Sequence, residues 1–185
     1  MIGIDEVGRG CWAGPLLVIA ARSEKELPPK LADSKVLSKK QREALFEPIT
    51  QLCDIGEGWV EVDEIDTLGL SKAMFLGVER ALNTLKAKKT DTIIMDGVVN
   101  YCATDYSDVQ CVARADSIHP IVSAASIYAK VVRDSYMERI SRLYPNYGFE
   151  MHSGYGTKVH ANALVRYGIT DIHRKSYKPI KALLS

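Results

Sequence analysis

Two carboxylates stand side by side in "MIGIDEVGRG", Asp5 and Glu6, directly after an apolar run. Charge at the end of a buried strand is costly unless something compensates it. Two further acids sit in comparable places. Asp96 closes "DTIIMD", and Asp116 follows "VQCVA" by three residues. If these strand ends share one edge of a sheet, four carboxylates meet there and repel unless cations separate them. Hard divalent ions such as Mg²⁺ take oxygen ligands, often a few carboxylates completed by phosphate oxygens. Two such ions about 4 Å apart form the arrangement that cleaves phosphodiesters. One ion then serves the attacking water and the other the leaving oxygen. Each acid also has a plainer use. Asp96 precedes Gly97 and fits a turn, and Asp116 fits the cap of a following helix. The adjacent pair resists that account, because capping explains one acid and not two.

The loop after the pair, "GRGCWA", has the spacing of a dinucleotide-binding fingerprint. That motif requires a helix after the glycines. Here Gly14-Pro15 follows, then the β-like run "PLLVIAA", and two acids precede the loop where a pyrophosphate would be repelled. The alternative is that Gly8 and Gly10 let backbone approach a sugar closely. Backbone N–H and C=O groups can pair with a ribose 2′-OH, the group that separates RNA from DNA. Arg9 suits the neighbouring phosphate. A tight turn between two strands is compatible with both uses.

The elements that must position these groups follow from periodicity. "MIGID", "PLLVIAA", "IGEGWVEV", "DTIIMD" and "VQCVA" read as strands. Ser38 suits the cap of a helix running to about Leu52. Further helices are expected over 62–68, 71–86, 120–143, 157–167 and 177–184, with a break at "YPNYG". Strands mixed with helices predict an α/β layer, a sheet covered by helices. The long helix carries the small residues Ser123, Ala124, Ala125, Ser126 and Ala129, which would let it lie close to the sheet. Lys130 and Asp134 on it are spaced for an i,i+4 surface pair.

The 185 residues suit one domain with a small appendage, and the apolar fraction of 46% supports a real core. No apolar run approaches the ~20 residues that cross a bilayer, and no secretory leader is recognisable. Cys11, Cys53, Cys102 and Cys111 form no CxxC pair, which fits a reducing, cytoplasmic setting. Net charge is only +1, yet the segment from Met151 onward holds six basic side chains and one acid, Asp171. A basic segment on an otherwise acidic body suggests a polyanion reached from one side. His152, His160 and His173 share that segment. Packing and phosphate-side hydrogen bonding suit them better than ligation of a soft metal.

Taken together, "GIDEVGRG", "DSKVLSKKQRE", "MDG", "RADSIHPIVSAASIYAKVVRD", "GYGTKVH" and "GITDIHRKSY" resemble the ribonuclease HII family of bacteria. The blocks come in the family's order from residue 3 to about 177. The resemblance implies a ribonuclease H-like fold, a central mixed β-sheet flanked by helices with a helical C-terminal appendage. Residues 1–150 would form the catalytic domain, and 151–185 a basic helical segment completing the substrate cleft. It implies an endoribonuclease that cuts RNA in RNA–DNA hybrids and nicks 5′ of single ribonucleotides in duplex DNA, as in ribonucleotide excision repair. The products would carry 3′-OH and 5′-phosphate, and the cofactor would be Mg²⁺ or Mn²⁺, two ions during catalysis. The family's metal-binding acids fall on Asp5, Glu6, Asp96 and Asp116. Its 2′-OH-reading turn falls on Gly8, Arg9 and Gly10, and its sugar-packing tyrosine on Tyr155. Ser34 and Lys35 are expected at phosphates. Arg114 stands where the family often has lysine. No clamp-binding extension is recognisable after the last helix, so the expected partners are nucleic acids alone, with no membrane, no obligate protein partner and a monomeric chain.

Overall fold

A computed structural model describes residues 1–28, 31 and 37–184. Ser34 and Lys35 lie outside the described residues. Five strands form one sheet: β1 (Ile2–Val7), β2 (Leu16–Arg22), β3 (Asp54–Val60), β4 (Ile93–Asp96) and β5 (Val109–Val112), in the order β3-β2-β1-β4-β5. The first three pair antiparallel, whereas β1–β4 and β4–β5 are parallel. The sheet is therefore mixed, as expected. The parallel pairing has a functional consequence. It puts the carboxyl ends of β1 and β4 on the same edge, with Ile4 opposite Met95, so the acids that follow these residues emerge side by side.

Helices cover both faces. On one face α3 (Leu70–Thr84) packs Ala73, Met74, Val78, Ala81 and Leu82 on Ile2, Ile4 and Val18. On the other, α4 (Pro120–Ser141) and α1 (Lys39–Leu52) bury Leu17, Ile19, Ala21 and Ile94. Side chains alternate across a strand, so Gly3, Asp5 and Val7 share the face opposite Ile2 and Ile4. At Gly3 a Cβ would come within 2.6 Å of the Ile121 backbone, so α4 can lie against β1 only over that glycine and the small residues Ser123, Ala124 and Ala125. Ser38 caps α1 through a reciprocal capping box with Gln41.

Past α4 the chain adds α5 (Phe149–His152), α6 (Lys158–Tyr167) and α7 (Lys178–Lys181). Along with α2 (Val62–Leu68) and a 3-10 turn, Ala115–Ser117, they complete the described elements. The periodicity missed α5, which spans a single turn, and overextended α7. A third apolar cluster joins this region to the body. Phe149, Tyr147, Leu164 and Ile180 pack with Met137 of α4 and Ala13 of the loop after β1. No helix among the described residues is long and apolar enough to cross a membrane.

Candidate active site

Asp5 lies near the end of β1, and its side chain turns toward α4. It is 6% exposed, with the Glu6 N–H at 2.7 Å from Oδ1 and the Ser126 hydroxyl as a second partner. Burial pushes its carboxyl up to about 8, and the charges of Glu6 and Asp96 add to the rise, against the two hydrogen bonds that lower it. A carboxyl so placed is costly to ionise alone and becomes favourable beside a cation. Glu6 meets the Arg9 guanidinium at 3.5 Å. Asp96, the last residue of β4, accepts the Ala115 N–H on Oδ1 at 2.7 Å. That bond ties β4 to the 3-10 turn that carries Asp116, and the Ser123 hydroxyl donates to the Asp116 carbonyl from α4.

Asp5, Glu6 and Asp96 line one cleft of about 470 Å³ together with Val7, Gly8, Arg9, Gly10, Arg42, Ser126, Lys130 and Tyr155. The structure thus brings three of the four expected acids, the glycine-arginine-glycine turn and the tyrosine to one place. Asp116 differs. It is fully buried, one residue beyond the amide bound by Asp96, and does not line the cleft. It sits in the 3-10 turn after β5, on the sheet edge that also carries Asp96.

The turn itself is shaped by its neighbours. Gly8 has φ +88°, and a Cβ there would overlap Nε of Arg133. Arg9 reaches Tyr101, with one N–H at 3.3 Å from the hydroxyl and the guanidinium over the ring. Tyr155 is 38% exposed, so its ring is reachable from the cleft, and the Lys130 ammonium lies 5.6 Å from the ring centroid. Lys130 also binds Asp134 at 2.8 Å, the i,i+4 pair expected, in a second hollow that continues past Arg42 and Tyr155.

Several participants escaped the motif reading. Arg42 and Lys130 bring cations to the cleft from α1 and α4, at one-turn spacings that read as ordinary helix surface. The basic C-terminal segment is not uniformly available to a polyanion, because Arg174 is fully buried. The three histidines are buried too, within the Phe149 cluster, so phosphate-side hydrogen bonding does not describe them. Their nitrogens bond backbone groups, the Thr170 hydroxyl and one another.

The sequence matches the family model described as Ribonuclease HII over residues 2–180. The chain belongs to the ribonuclease HII family. A Ribonuclease HII of Coxiella burnetii (strain Dugway 5J108-111) is 42% identical over 184 residues, covering 98% of this chain and 89% of the relative. Among solved structures, the ribonuclease HII of the PCNA:RNase HII complex from Archaeoglobus fulgidus has a TM-score of 0.81 at 26% identity, covering 100% of this chain and 96% of that one. The ribonuclease H2 of Pyrococcus horikoshii OT3 has a TM-score of 0.78 at 28% identity, covering 98% and 95%. Bst-RNase HIII in complex with Mn²⁺ shares the fold, with a TM-score of 0.74 at 21% identity over 99% of this chain and 68% of that one. As a ribonuclease HII, the protein is a metal-dependent endonuclease of the ribonuclease H type acting on nucleic acid.

The donor set suits a hard divalent cation, because the acids at the cleft offer carboxylate oxygen and, among the described residues, no thiolate or imidazole lines it. Among the described residues no three acidic, histidine or cysteine side chains are already drawn into a coordination cage.

Proposed function

We propose that this cleft cuts RNA within RNA–DNA hybrids and nicks duplex DNA on the 5′ side of a single embedded ribonucleotide, leaving 3′-OH and 5′-phosphate. The observation that carries the reading is the juxtaposition of Asp5, Glu6 and Asp96 with Gly8, Arg9, Gly10 and Tyr155 around one cleft. An acidic floor able to bind cations faces a backbone turn able to bind a ribose.

Asp5, Glu6, Asp96 and Asp116 would hold Mg²⁺ or Mn²⁺, Asp116 from the 3-10 turn whose Ala115 N–H is bound by Asp96. When bound, two such ions activate water and offset charge on the leaving oxygen. The protein's own groups orient the strand. Gly10 leaves open space where a side chain would stand, so a sugar can approach its backbone. Tyr155 offers a ring face to the adjoining sugar. Arg42 and Lys130 neutralise phosphates, a task assigned to Ser34 and Lys35 as well. Residues 151–185 contribute Tyr155 and so complete the cleft. The ribonuclease HII of Archaeoglobus fulgidus was solved in complex with PCNA, and a binding assay of this chain with a sliding clamp tests the expectation of nucleic acids as its sole partners.

The deciding experiment incubates a duplex bearing one ribonucleotide, and separately a hybrid, with Mg²⁺, Mn²⁺ or EDTA, and maps the ends. Metal-dependent nicking 5′ of the ribonucleotide is expected. Cutting of the hybrid alone would remove the single-ribonucleotide activity and leave a hybrid-specific nuclease.

A further inference from the structure

Two arginines, Arg133 of α4 and Arg174 of the C-terminal segment, are fully buried beside the cleft, and neither lines it. A buried guanidinium is ordinarily matched by a carboxylate, because its desolvation is costly. Among the described residues these two bind oxygens of carbonyl and hydroxyl groups instead. Arg174 donates from Nε and one terminal nitrogen to the Gly14 carbonyl, at 2.9 and 2.8 Å. Its other terminal nitrogen reaches the Arg9 carbonyl at 3.1 Å and the Tyr177 hydroxyl at 2.9 Å. Tyr177 donates in turn to that same Arg9 carbonyl at 2.6 Å. Arg133 donates to the carbonyls of Pro15 at 2.8 Å, Ala13 at 3.2 Å and Ser153 at 2.8 Å.

The Arg9 carbonyl is the informative acceptor. A trans peptide is planar, and its C=O and N–H point in opposite directions. Drawing the Arg9 oxygen toward Arg174 and Tyr177 therefore aims the Gly10 N–H away from them. Gly10 lines the cleft and is exposed, and no backbone carbonyl among the described residues takes its N–H. One buried fork thus fixes the direction of a donor at the proposed ribose site. Arg133 does the corresponding work between the two halves of that site, since it holds both the loop end at Ala13–Pro15 and the Ser153 carbonyl two residues before Tyr155.

We infer that Arg174, with Tyr177, is a positioning residue for ribose recognition that aims the Gly10 N–H, and that Arg133 sets the spacing between the glycine-arginine-glycine turn and Tyr155. This inference rests on the reading of that turn as the ribose contact. Neither guanidinium touches the substrate; each acts through carbonyl groups of the loops that do.

The test compares wild type with Tyr177→Phe, Arg174→Lys and Arg133→Lys on the single-ribonucleotide duplex. Lysine keeps the charge but lacks the planar fork that holds these carbonyls in a fixed geometry, and phenylalanine keeps the ring while removing one bond to the Arg9 oxygen. Variants that melt near wild type are expected to lose about tenfold or more in kcat/KM, and to spread their nicks over neighbouring phosphates. The Gly10 amide resonance is expected to shift when the ribonucleotide duplex, and not its all-deoxy counterpart, is added to metal-free wild type, and to respond less in Tyr177→Phe. A Tyr177→Phe protein with an unchanged nick map, unchanged kcat/KM and an unchanged Gly10 response overturns the assignment, even if the lysine variants fail to fold. Activity lost only in proportion to unfolded protein overturns it as well. Wild type that ignores the ribonucleotide would instead defeat the functional reading beneath it.

Discussion

The Nε2 atoms of His160 and His173 lie 3.0 Å apart, and one pair of tautomers satisfies both rings. The Thr170 N–H donates to Nδ1 of His173 at 2.9 Å, which leaves the proton of that ring on Nε2. His173 then donates to Nε2 of His160, whose own proton sits on Nδ1 and goes to the Tyr155 carbonyl at 3.0 Å. A chain of hydrogen bonds therefore runs from Thr170 to the tyrosine at the cleft, and only two neutral rings complete it.

Burial is the main reason that both imidazoles are held down at about 4, and the charge of His152 on His160, and of His160 on His173, adds to it. Their pKa is lower in the folded protein than in the unfolded chain. The stability they confer is present above about 6.5 and is lost as pH falls through about 4. Urea unfolding between pH 7 and 4 is expected to show a loss of a few kcal/mol, because each tenfold weakening of proton binding on folding is worth about 1.4 kcal/mol at most. His160→Gln should take up about one proton fewer over that range. An identical slope in the variant would remove His160 from the linkage.

Asp5 has the opposite sign. Its pKa is raised to about 8, so its contribution to metal-free stability is intact below about 4 and is lost as pH rises toward 8. Metal-free Asp5→Asn should therefore be more stable than wild type by about 1–3 kcal/mol at pH 8.5, with a smaller gain at pH 5. The same variant should lose cleavage by about 100-fold or more while still binding hybrid. Thermal melts across pH and a cleavage assay read the two effects. Full activity would take Asp5 out of the site.

Divalent ions should reverse that burden. Adding Mg²⁺ or Mn²⁺ is expected to stabilise wild type through binding to the folded state, by about 2.7 kcal/mol at a hundredfold excess over Kd, read as a higher melting temperature. Asp5→Asn and Asp96→Asn should show much less of the effect, and EDTA should abolish it. Equal stabilisation of all three proteins would place the ions elsewhere.

Tyr155→Ala should lower kcat/KM on a single embedded ribonucleotide by about tenfold, given the usual worth of an aromatic contact to a nucleotide. Wild-type behaviour on both substrates would dismiss the tyrosine.

Arg42→Ala and Lys130→Ala address the phosphate path. Each should weaken binding about equally for hybrid and for ribonucleotide duplex, and reduce the salt slope of log K by about 1. Fluorescence titrations across salt concentrations measure this. An unchanged slope would assign the cation to packing or, for Lys130, to its partner Asp134.

Read alone, the sequence determined the strands and most helices and marked four acids as candidates, because period-two apolar runs and strand-end charges are local signals. Asp5 and Glu6 were conspicuous because no turn or cap needs two acids after an apolar strand. The tertiary structure decided what those signals share. Parallel pairing of β1 with β4 put Asp5, Glu6 and Asp96 on one edge, while Asp116 is buried and does not line the cleft. Burial decided the rest. Arg133 and Arg174 look like solvent-facing cations, and the histidines like packing or phosphate-side groups, but a residue's burial depends on what packs over it from elsewhere in the chain. Their roles appeared only once Arg9, Ser153 and Tyr155 were close enough for their carbonyl oxygens to accept hydrogen bonds.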